Sequence, residues 1–597
     1  MIWIILSWMY ITVVSFLIGC LFTNLIRKVF RIQLKETLHF SFVCINGFLF
    51  TSFIISVWLL FYKVDLLANI FLLLLSLSSL FINKKEIAGL VKIYSDEVRK
   101  ISKVIWLFFF LFVFVMACIS YMPSSHADDS GCFSPVIKWI QEYGTVPGIA
   151  NLDARLGYNS TWFDLQALFG FAFLKAGLFN DLNGLLFLYI LIYSFHAIDK
   201  LLKGQSSLIN YFKALFFLPV LFIYFGFSHD IMLYSIQFFT SPTYDIPVTF
   251  ILWMLFFLFL ELKELKTTFS ASVRPYLVIL YSAYLITVKL NAVPVVILAV
   301  FILAVLLKEK KYRNVLLASC FCILIAAPWI IKTVISCGYI LFPFVELDVV
   351  NVDWKLTPGA VLYIESSVMT WAIDPNLYGS TSLLNDKGHF SAAITDWFPV
   401  WFNQQNYINT IIFFTTIFSG LTWLLIGISS LLKHKKEFFR KHIIDIVFAI
   451  TILLGILLWF TRGPAPRYGY GYLLFLCMLS LSRFIYFFAK EFHSGYAGII
   501  ILAYVFYALI YYGIRLHEPF SQTFFNKAPA ITSPEYSRHD LGVGKYINVV
   551  KEPACGNTPL PSSPKYVFEF LQPAYRGKTI KKGFINQRPA EEYKIGK

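Results

Sequence analysis

Long uninterrupted apolar runs constrain this chain more than any other feature of its sequence. Four of the clearest are Ile2–Leu25, Val104–Tyr121, Ile411–Leu431 and Ile443–Phe460. Each has the roughly 18 residues or more that a helix needs to cross a hydrocarbon core of about 30 Å. Charged residues make up only 14% of the chain, against about 25% in a soluble domain. The sequence therefore predicts an all-α polytopic transmembrane protein whose first partner is the lipid bilayer.

The basic residues predict how the chain is threaded. The formal net charge of +16 would suggest nucleic-acid binding in a soluble protein. The Lys and Arg residues cluster instead between apolar runs, at Arg27–Arg31, Lys84–Lys85, Lys308–Arg313 and Lys433–Lys441. Short loops rich in these residues stay on the cytoplasmic side of a membrane. We interpret the charge as a topology signal and expect no nucleic-acid partner.

Combining the apolar runs with the basic clusters predicts about 14 spans, with both termini outside. The predicted spans lie near residues 3–26, 39–61, 65–82, 104–121, 184–199, 210–227, 245–262, 274–290, 293–307, 315–335, 408–431, 443–460, 470–488 and 496–513. The apolar segment Trp162–Phe179 breaks the alternation. We expect it in the outer interface or as a re-entrant piece, with Asp164 and Lys175 reaching water.

Polar segments divide the chain further. We predict N-terminal transmembrane segments over residues 1–103 and a transmembrane core over 104–336, which contains the first outer loop, 122–161. The second outer loop covers 337–407 and the C-terminal transmembrane segments cover 408–513. The remainder, 514–597, is proline-containing and polar. It predicts a small, loop-rich external tail, too short for a large domain.

The acidic pair Asp128-Asp129 follows directly on the outer end of a predicted span. Two adjacent carboxylates at a membrane surface are costly unless they are solvated, paired or holding a cation. A short helix should follow, N-capped by Ser134 and ended by Gly144. Its Trp139 is typical of a helix lying in the membrane interface. Taken alone, the acidic pair fits a solvated loop better than a functional site, because charged loop residues are usually solvated.

Several blocks of sequence bear a family resemblance. A span ending in acidic residues, followed by an interfacial helix, resembles the first outer loop of the GT-C superfamily of membrane glycosyltransferases. A family of bacterial polytopic membrane proteins with that architecture shares similar blocks, which cover most of the chain from about Val104 onward. The most specific block spans Pro147–Phe163. The other similar segments are Ile137–Ile140, Tyr143–Val146, Thr287–Leu290, Ala465–Gly471 and Arg576–Lys578.

The resemblance implies transfer of a sugar from a polyprenyl-phosphate donor to a glycan or lipid acceptor, in surface glycan assembly. The location implied is the bacterial cytoplasmic membrane, with the active face outside. Asp129 falls on the acidic position of the family and is expected to act as the base, with Asp128 supporting it. Either carboxylate is also a candidate ligand for a divalent metal ion.

The donor phosphate requires fixed cations, for which Arg is well suited because its planar fork pairs bidentately with phosphate oxygens. The candidates on the outer face are Arg155, Lys289, Arg462 and Arg467. Arg462 and Arg467 flank a tight turn between two predicted spans. Cations at such positions also commonly extend to lipid headgroups without binding a substrate.

The sequence departs from the family pattern at three places. A Tyr-His pair of the family falls on Phe133-Ser134, and a family His falls on Asp153. The second cysteine of the family's tail falls on Ser562, which leaves Cys555 without the partner that the resemblance implies. These departures keep an altered substrate or an inactive scaffold open as interpretations.

Other polar residues are weaker candidates. His229-Asp230 and Tyr244-Asp245 lie at predicted outer turns, and the neighbouring Ser241-Pro242 favours a solvated turn over a ligand site. His196 falls on the inner side, away from the expected chemistry.

Two further function classes remain open. A polysaccharide polymerase or ligase that uses a polyprenyl-diphosphate-linked glycan would employ the same arginines. A non-enzymatic transporter is disfavoured, because transporters carry ionisable residues near the midplane whereas the charges here gather in loops.

Overall fold

The computed structural model describes residues 2–34, 36–122, 124, 126, 128–174, 181–223, 239–377, 382–385, 389–433, 438–489, 494–515, 533–542 and 544–587. Over these residues the fold is mostly helical. The helices are α1 (Ile2–Phe30), α2 (Phe40–Trp58), α3 (Leu66–Ile82), α4 (Lys84–Lys100), α5 (Lys103–Tyr121), α6 (Ser134–Glu142), α7 (Thr161–Phe169), α8 (Asp181–Leu202), α9 (Leu208–Leu215), α10 (Leu218–Ile223), α11 (Asp245–Leu260), α12 (Arg274–Val288), α13 (Val296–Lys308), α14 (Tyr312–Cys337), α15 (Pro358–Ile373), α16 (Ile394–Asn403), α17 (Tyr407–Lys433), α18 (Phe438–Arg462), α19 (Pro466–Ala489), α20 (Ser494–Arg515) and α21 (Lys565–Leu571).

The helices confirm a multi-pass membrane protein. Within the described part of the chain, ten helical segments are long and apolar enough to cross a bilayer, and α3 with α4, bent by 88°, would make an eleventh. Four shorter apolar segments accompany them, and every span predicted from the sequence overlaps one of these helical segments. The total of about 14 spans stays a prediction.

Close helix packing places α1 against α2. A Cβ atom on Gly19 would lie 1.8 Å from the carbonyl oxygen of Val43, and one on Gly47 would lie 1.9 Å from that of Ser15. Small residues of this kind let two membrane helices approach backbone to backbone. Helix α11 lies at the centre of the bundle, since its spanning segment is 94% buried, compared with 17% for that of α17.

The tail is more ordered than its loop-rich sequence predicts. Strand β1 (Tyr536–Asp540) pairs antiparallel with β2 (Tyr546–Val550), and β2 pairs parallel with β3 (Ser562–Pro564). Strands β4 (Pro573–Tyr575) and β5 (Phe584–Asn586) form an antiparallel pair. These strands were not predicted.

The tail docks on the first outer loop and covers part of α6. Trp139 is 2% exposed and lies 6.0 Å, ring to ring, from Phe584. Ile149 and Leu152 share the same apolar cluster with Ile547 of β2. The tail therefore covers the Trp139 face of α6, and the interfacial position of this helix stays a prediction.

Two local expectations are wrong. Ser134 does not cap α6, because the chain enters the helix through a π-helical turn, Asp129–Phe133, and Ser134 already has helical dihedrals. Asp164 does not reach water. It is fully buried in α7, where its carboxylate accepts from Lys332 Nζ at 2.5 and 2.6 Å and from Ser56 Oγ at 2.6 Å. Lys175 lies outside the described residues.

Candidate functional site

The two adjacent aspartates after α5 have different environments. Asp129 is 3% exposed and accepts a hydrogen bond from Ser124 Oγ and another, at 2.5 Å, from Ser241 Oγ. The side chain of Asp128 is 44% exposed and pairs with Arg467, from Nη2 to Oδ2, at 2.9 Å. The backbone therefore directs one carboxylate into a pocket of hydroxyl groups and the other towards a cation.

Arg467 lies at the start of α19, one residue after the helix begins at Pro466. Its Nη1 donates to His126 Nε2 at 2.9 Å, and its Nε lies 3.4 Å from Asp245 Oδ2. The guanidinium also lies over the ring of Trp371, 4.7 Å from its centroid. With a side chain only 10% exposed, Arg467 is held on several sides by polar and aromatic partners.

Lys289 completes a mixed-charge cluster. It follows α12 directly, and its Nζ pairs with Asp245 Oδ1. The same ammonium lies over the ring of Tyr468, 3.6 Å from its centroid, which is a favourable cation–π contact. Asp245 therefore bridges Lys289 and Arg467. We call Asp128, Asp245, Lys289 and Arg467 the charged cluster.

His126 is neutral in this arrangement. An Arg side chain can only donate, so the His126 Nε2 that it contacts must accept. Burial, followed by the charge of Arg467, lowers the pKa of His126 to about 4. The charged cluster thus contains two carboxylates, two cations and no further charge from this imidazole. An incoming anion must displace a carboxylate or share its cation.

The environments also separate the pKa values of the two aspartates. Burial raises the pKa of Asp129 to about 7, an effect that the Ser124 and Ser241 hydroxyls only partly oppose. Burial also raises the pKa of Asp128, but the charge and the hydrogen bond of Arg467 help to more than offset this, so that the pKa lies below its usual value. One carboxylate is thus fixed as an anion, and the other exchanges a proton near neutral pH, as a general base does.

The structure brings together some of the predicted cations and not others. Lys289 and Arg467 meet in the charged cluster. Arg155 instead pairs with Asp153 at 2.7 Å and donates to the carbonyl oxygen of Pro553 at 2.7 Å, joining the first outer loop to the tail. Arg462 is 65% exposed and lies 3.4 Å from Glu365. Arg155 and Arg462 thus pair with carboxylates outside the charged cluster, although Arg155 is near enough for its charge to help lower the pKa of Asp128.

The acidic pair is a poor fit to a divalent metal. Asp129 already accepts hydrogen bonds from two hydroxyl groups, and Asp128 faces a guanidinium. Among the residues that the structure describes, the group of metal-ligating side chains with ligand atoms within 4.8 Å of one another is Glu346, Glu365 and His389. It includes neither Asp128 nor Asp129, so we assign no metal-dependent step to them.

Sequence reasoning missed His126, considered Ser241 only as part of a turn, and ranked Asp245 as a weaker candidate. The interpretation of Tyr244-Asp245 as a solvated turn is wrong, because Asp245 is 3% exposed between two cations. The sequence did contain a signal for Asp245, because a carboxylate at the start of an apolar run is costly unless it has a partner. The other turn considered, His229-Asp230, lies outside the described residues.

Comparison with protein families identifies the family of this chain. A family model described as a domain of unknown function (DUF8201) matches residues 1–474, which include both aspartates, Asp245, Lys289 and Arg467. No curated protein and no solved structure matches the chain.

Proposed function

The chain belongs to the DUF8201 family, and we propose that it is a GT-C-type membrane glycosyltransferase. It transfers a sugar from a polyprenyl-phosphate donor to a glycan or lipid acceptor during surface glycan assembly. In this proposal the chain crosses the bacterial cytoplasmic membrane about 14 times, with both termini and the charged cluster on the outer face. The family resemblance of the first outer loop supports this choice of reaction.

One observation carries the proposal. A buried carboxylate with a pKa of about 7 lies next in sequence to a carboxylate that is paired with a buried arginine. Sugar transfer requires both elements, since a base must take the acceptor proton and a cation must stabilise the phosphate that leaves. The π-helical turn at Asp129 and the start of α19 position the two groups.

Arg467 and Lys289 are the proposed phosphate ligands. Asp128 is the carboxylate that phosphate displaces, because its side chain is 44% exposed whereas that of Asp245 is 4% exposed. Asp245 stays in place between the two cations and keeps their positions fixed. The planar fork of Arg467 can then bind two phosphate oxygens.

Asp129 is the proposed base. The acceptor hydroxyl replaces the hydroxyl of Ser124, which is half-buried, and donates its proton to the Asp129 carboxylate. Its oxygen forms a bond to the anomeric carbon of the sugar while the bond from that carbon to the phosphate oxygen breaks. Polyprenyl phosphate leaves with the electron pair, stabilised by Arg467 and Lys289.

A second candidate donor is a polyprenyl-diphosphate-linked glycan, as in a polymerase or ligase. The specific observation in its favour is that Arg467 and Lys289 share Asp245. Two adjacent cations can each bind one phosphate of a diphosphate.

The lipid-linked glycans of cells that lack this protein test the proposal. We expect a polyprenyl-monophosphate sugar to accumulate in these cells. The wild-type chain or Arg462→Ala should remove the accumulated sugar lipid when supplied, whereas Arg467→Ala should not. Accumulation of a diphosphate-linked oligosaccharide would select the second donor. An unchanged lipid-linked pool would contradict both.

A further inference from the structure

A polar cavity of about 190 Å³ lies far from the charged cluster, between the ends of several helices. It is smaller than the roughly 300–1,000 Å³ pockets that hold drug-sized ligands, so it suits a small group. Five basic side chains line it: His39, His196, Lys200, Lys213 and Arg274.

Helix α8 connects the two regions. Near its start, Asn183 donates to the carbonyl oxygen of Ser241, whose hydroxyl binds Asp129. Near its end, His196 and Lys200 line the cavity. With a rise of 1.5 Å per residue, Asn183 and Lys200 lie about 25 Å apart along the helix. The cavity is therefore at the opposite ends of the membrane-spanning helices from the charged cluster.

Three of the lining side chains have hydrogen-bonding capacity that the protein does not use. Lys200 forms no side-chain hydrogen bond and no ion pair with any residue that the structure describes. Within the same set of residues, His196 contacts the ring of His39 at 5.5 Å but forms no side-chain hydrogen bond. His39 uses its Nδ1 with Ser41, which leaves its Nε2.

The carboxylates of the cavity leave Lys200 without a direct ion-pair partner among the described residues. Glu261 already pairs with Lys213 and accepts a hydrogen bond from Tyr193 Oη at 2.9 Å. It also lies 3.5 Å from Arg274. Glu97 also lines the cavity, but it forms no ion pair with Lys200. Lys200 thus supplies a positive charge without an ion-pair partner among the described residues, and the imidazoles of His39 and His196 add hydrogen-bonding nitrogens beside it, so that an anion is attracted into the cavity.

We propose that this cavity binds a phosphate group, with Lys200, His196 and His39 as its donors. Phosphate oxygens accept several charge-assisted hydrogen bonds at once. The cavity lies at the ends of membrane spans, where basic pockets between helices meet lipid headgroups. The phosphate belongs either to the headgroup of an anionic lipid or to a soluble phosphorylated compound. This site is independent of the glycosyltransferase proposal.

Thermal unfolding of the full-length protein in detergent tests the site. The probes are phosphatidylglycerol, inorganic phosphate, diacylglycerol as the lipid without phosphate, and chloride at matched ionic strength. We expect phosphatidylglycerol or inorganic phosphate to raise the Tm by about 2 °C or more, and the two control probes to have no such effect.

The variants make the test specific. Lys200→Gln and His196→Gln should lose the rise, Lys200→Arg should keep it, and Lys92→Gln, an exposed lysine on α4, serves as the charge-matched control. A rise with phosphatidylglycerol alone identifies a lipid headgroup, and a rise with inorganic phosphate identifies a soluble source. No rise with either probe, or the same rise in Lys200→Gln as in the wild type, would overturn the proposal.

Discussion

Arg467 Nη2 donates to Asp128 Oδ2 at 2.9 Å, although 339 residues separate the two along the chain. The contact joins the loop after α5 to the first turn of α19. The same guanidinium also reaches His126 and Asp245. An ion pair that is buried on one side and partly open on the other is poised to exchange its carboxylate for an incoming anion.

Replacing Arg467 tests its role as phosphate ligand. Arg467→Lys keeps the charge but loses the bidentate fork, so donor binding should weaken by about 1–3 kcal/mol, the scale of a hydrogen bond to a charged group. Arg462→Lys is the matched control and should change little, since that side chain is 65% exposed. Titration of purified variants with the polyprenyl-phosphate sugar measures both. Unchanged affinity in Arg467→Ala would refute the assignment.

The rate of transfer should depend on pH through Asp129. A general base acts only when ionised, and the pKa of Asp129 is about 7. The rate should therefore rise with pH through about 7 and then level off. Initial rates of the purified protein between about pH 5.5 and 8.5 measure this profile. A flat profile over that range would show that another group takes the proton.

The free energy of unfolding should fall with rising pH, whereas the rate of transfer should rise. The native chain holds the Asp129 proton up to about pH 7, whereas the unfolded chain releases it near about pH 4. The native state binds more protons between these values, so the contribution of Asp129 to the free energy of unfolding falls as pH rises. Asp129→Asn should be less sensitive to pH over this interval in thermal unfolding. An identical pH dependence in the variant would contradict the burial argument.

The buried pair of Asp164 and Lys332 should matter for folding. Lys332→Met leaves the Asp164 carboxylate charged and unpaired in the interior, a change that typically costs about 3–5 kcal/mol. The double variant Asp164→Leu with Lys332→Met should recover most of that loss, because no buried charge remains. Thermal unfolding in detergent compares the three proteins. A double variant no more stable than Lys332→Met would argue against an electrostatic cause.

The orientation of the chain is a separate prediction. The Lys/Arg bias places Lys433–Lys441 inside and both termini outside. Single cysteines near Lys435 and Lys594 in a cysteine-free background test it, although both positions lie outside the described residues. An impermeant thiol reagent on intact cells should label the second site and not the first. The reverse pattern would invert the topology.

Sequence reasoning located the helices well because apolar runs of spanning length have few alternative structures in a bilayer. Arg467 was predictable for the same reason, since it lies at the boundary of such a run. The role of Asp245 in the site was not predictable, because it depends on Lys289 and Arg467, which reach Asp245 from other helices. The burial of Trp139 was equally hidden, because a tail more than 400 residues away covers it.

Sugar transfer by purified Asp129→Asn and Asp128→Asn tests the central claim most directly. Removal of a general base typically lowers the rate about 10²–10⁴-fold. The wild-type chain should transfer sugar from a polyprenyl-phosphate donor. The transfer rate of Asp129→Asn should be lower by that factor, while the variant stays folded and membrane-inserted. The transfer rate of Asp128→Asn should fall much less. Transfer by Asp129→Asn at the wild-type rate, or no transfer by the wild-type chain with any such donor, would contradict the account.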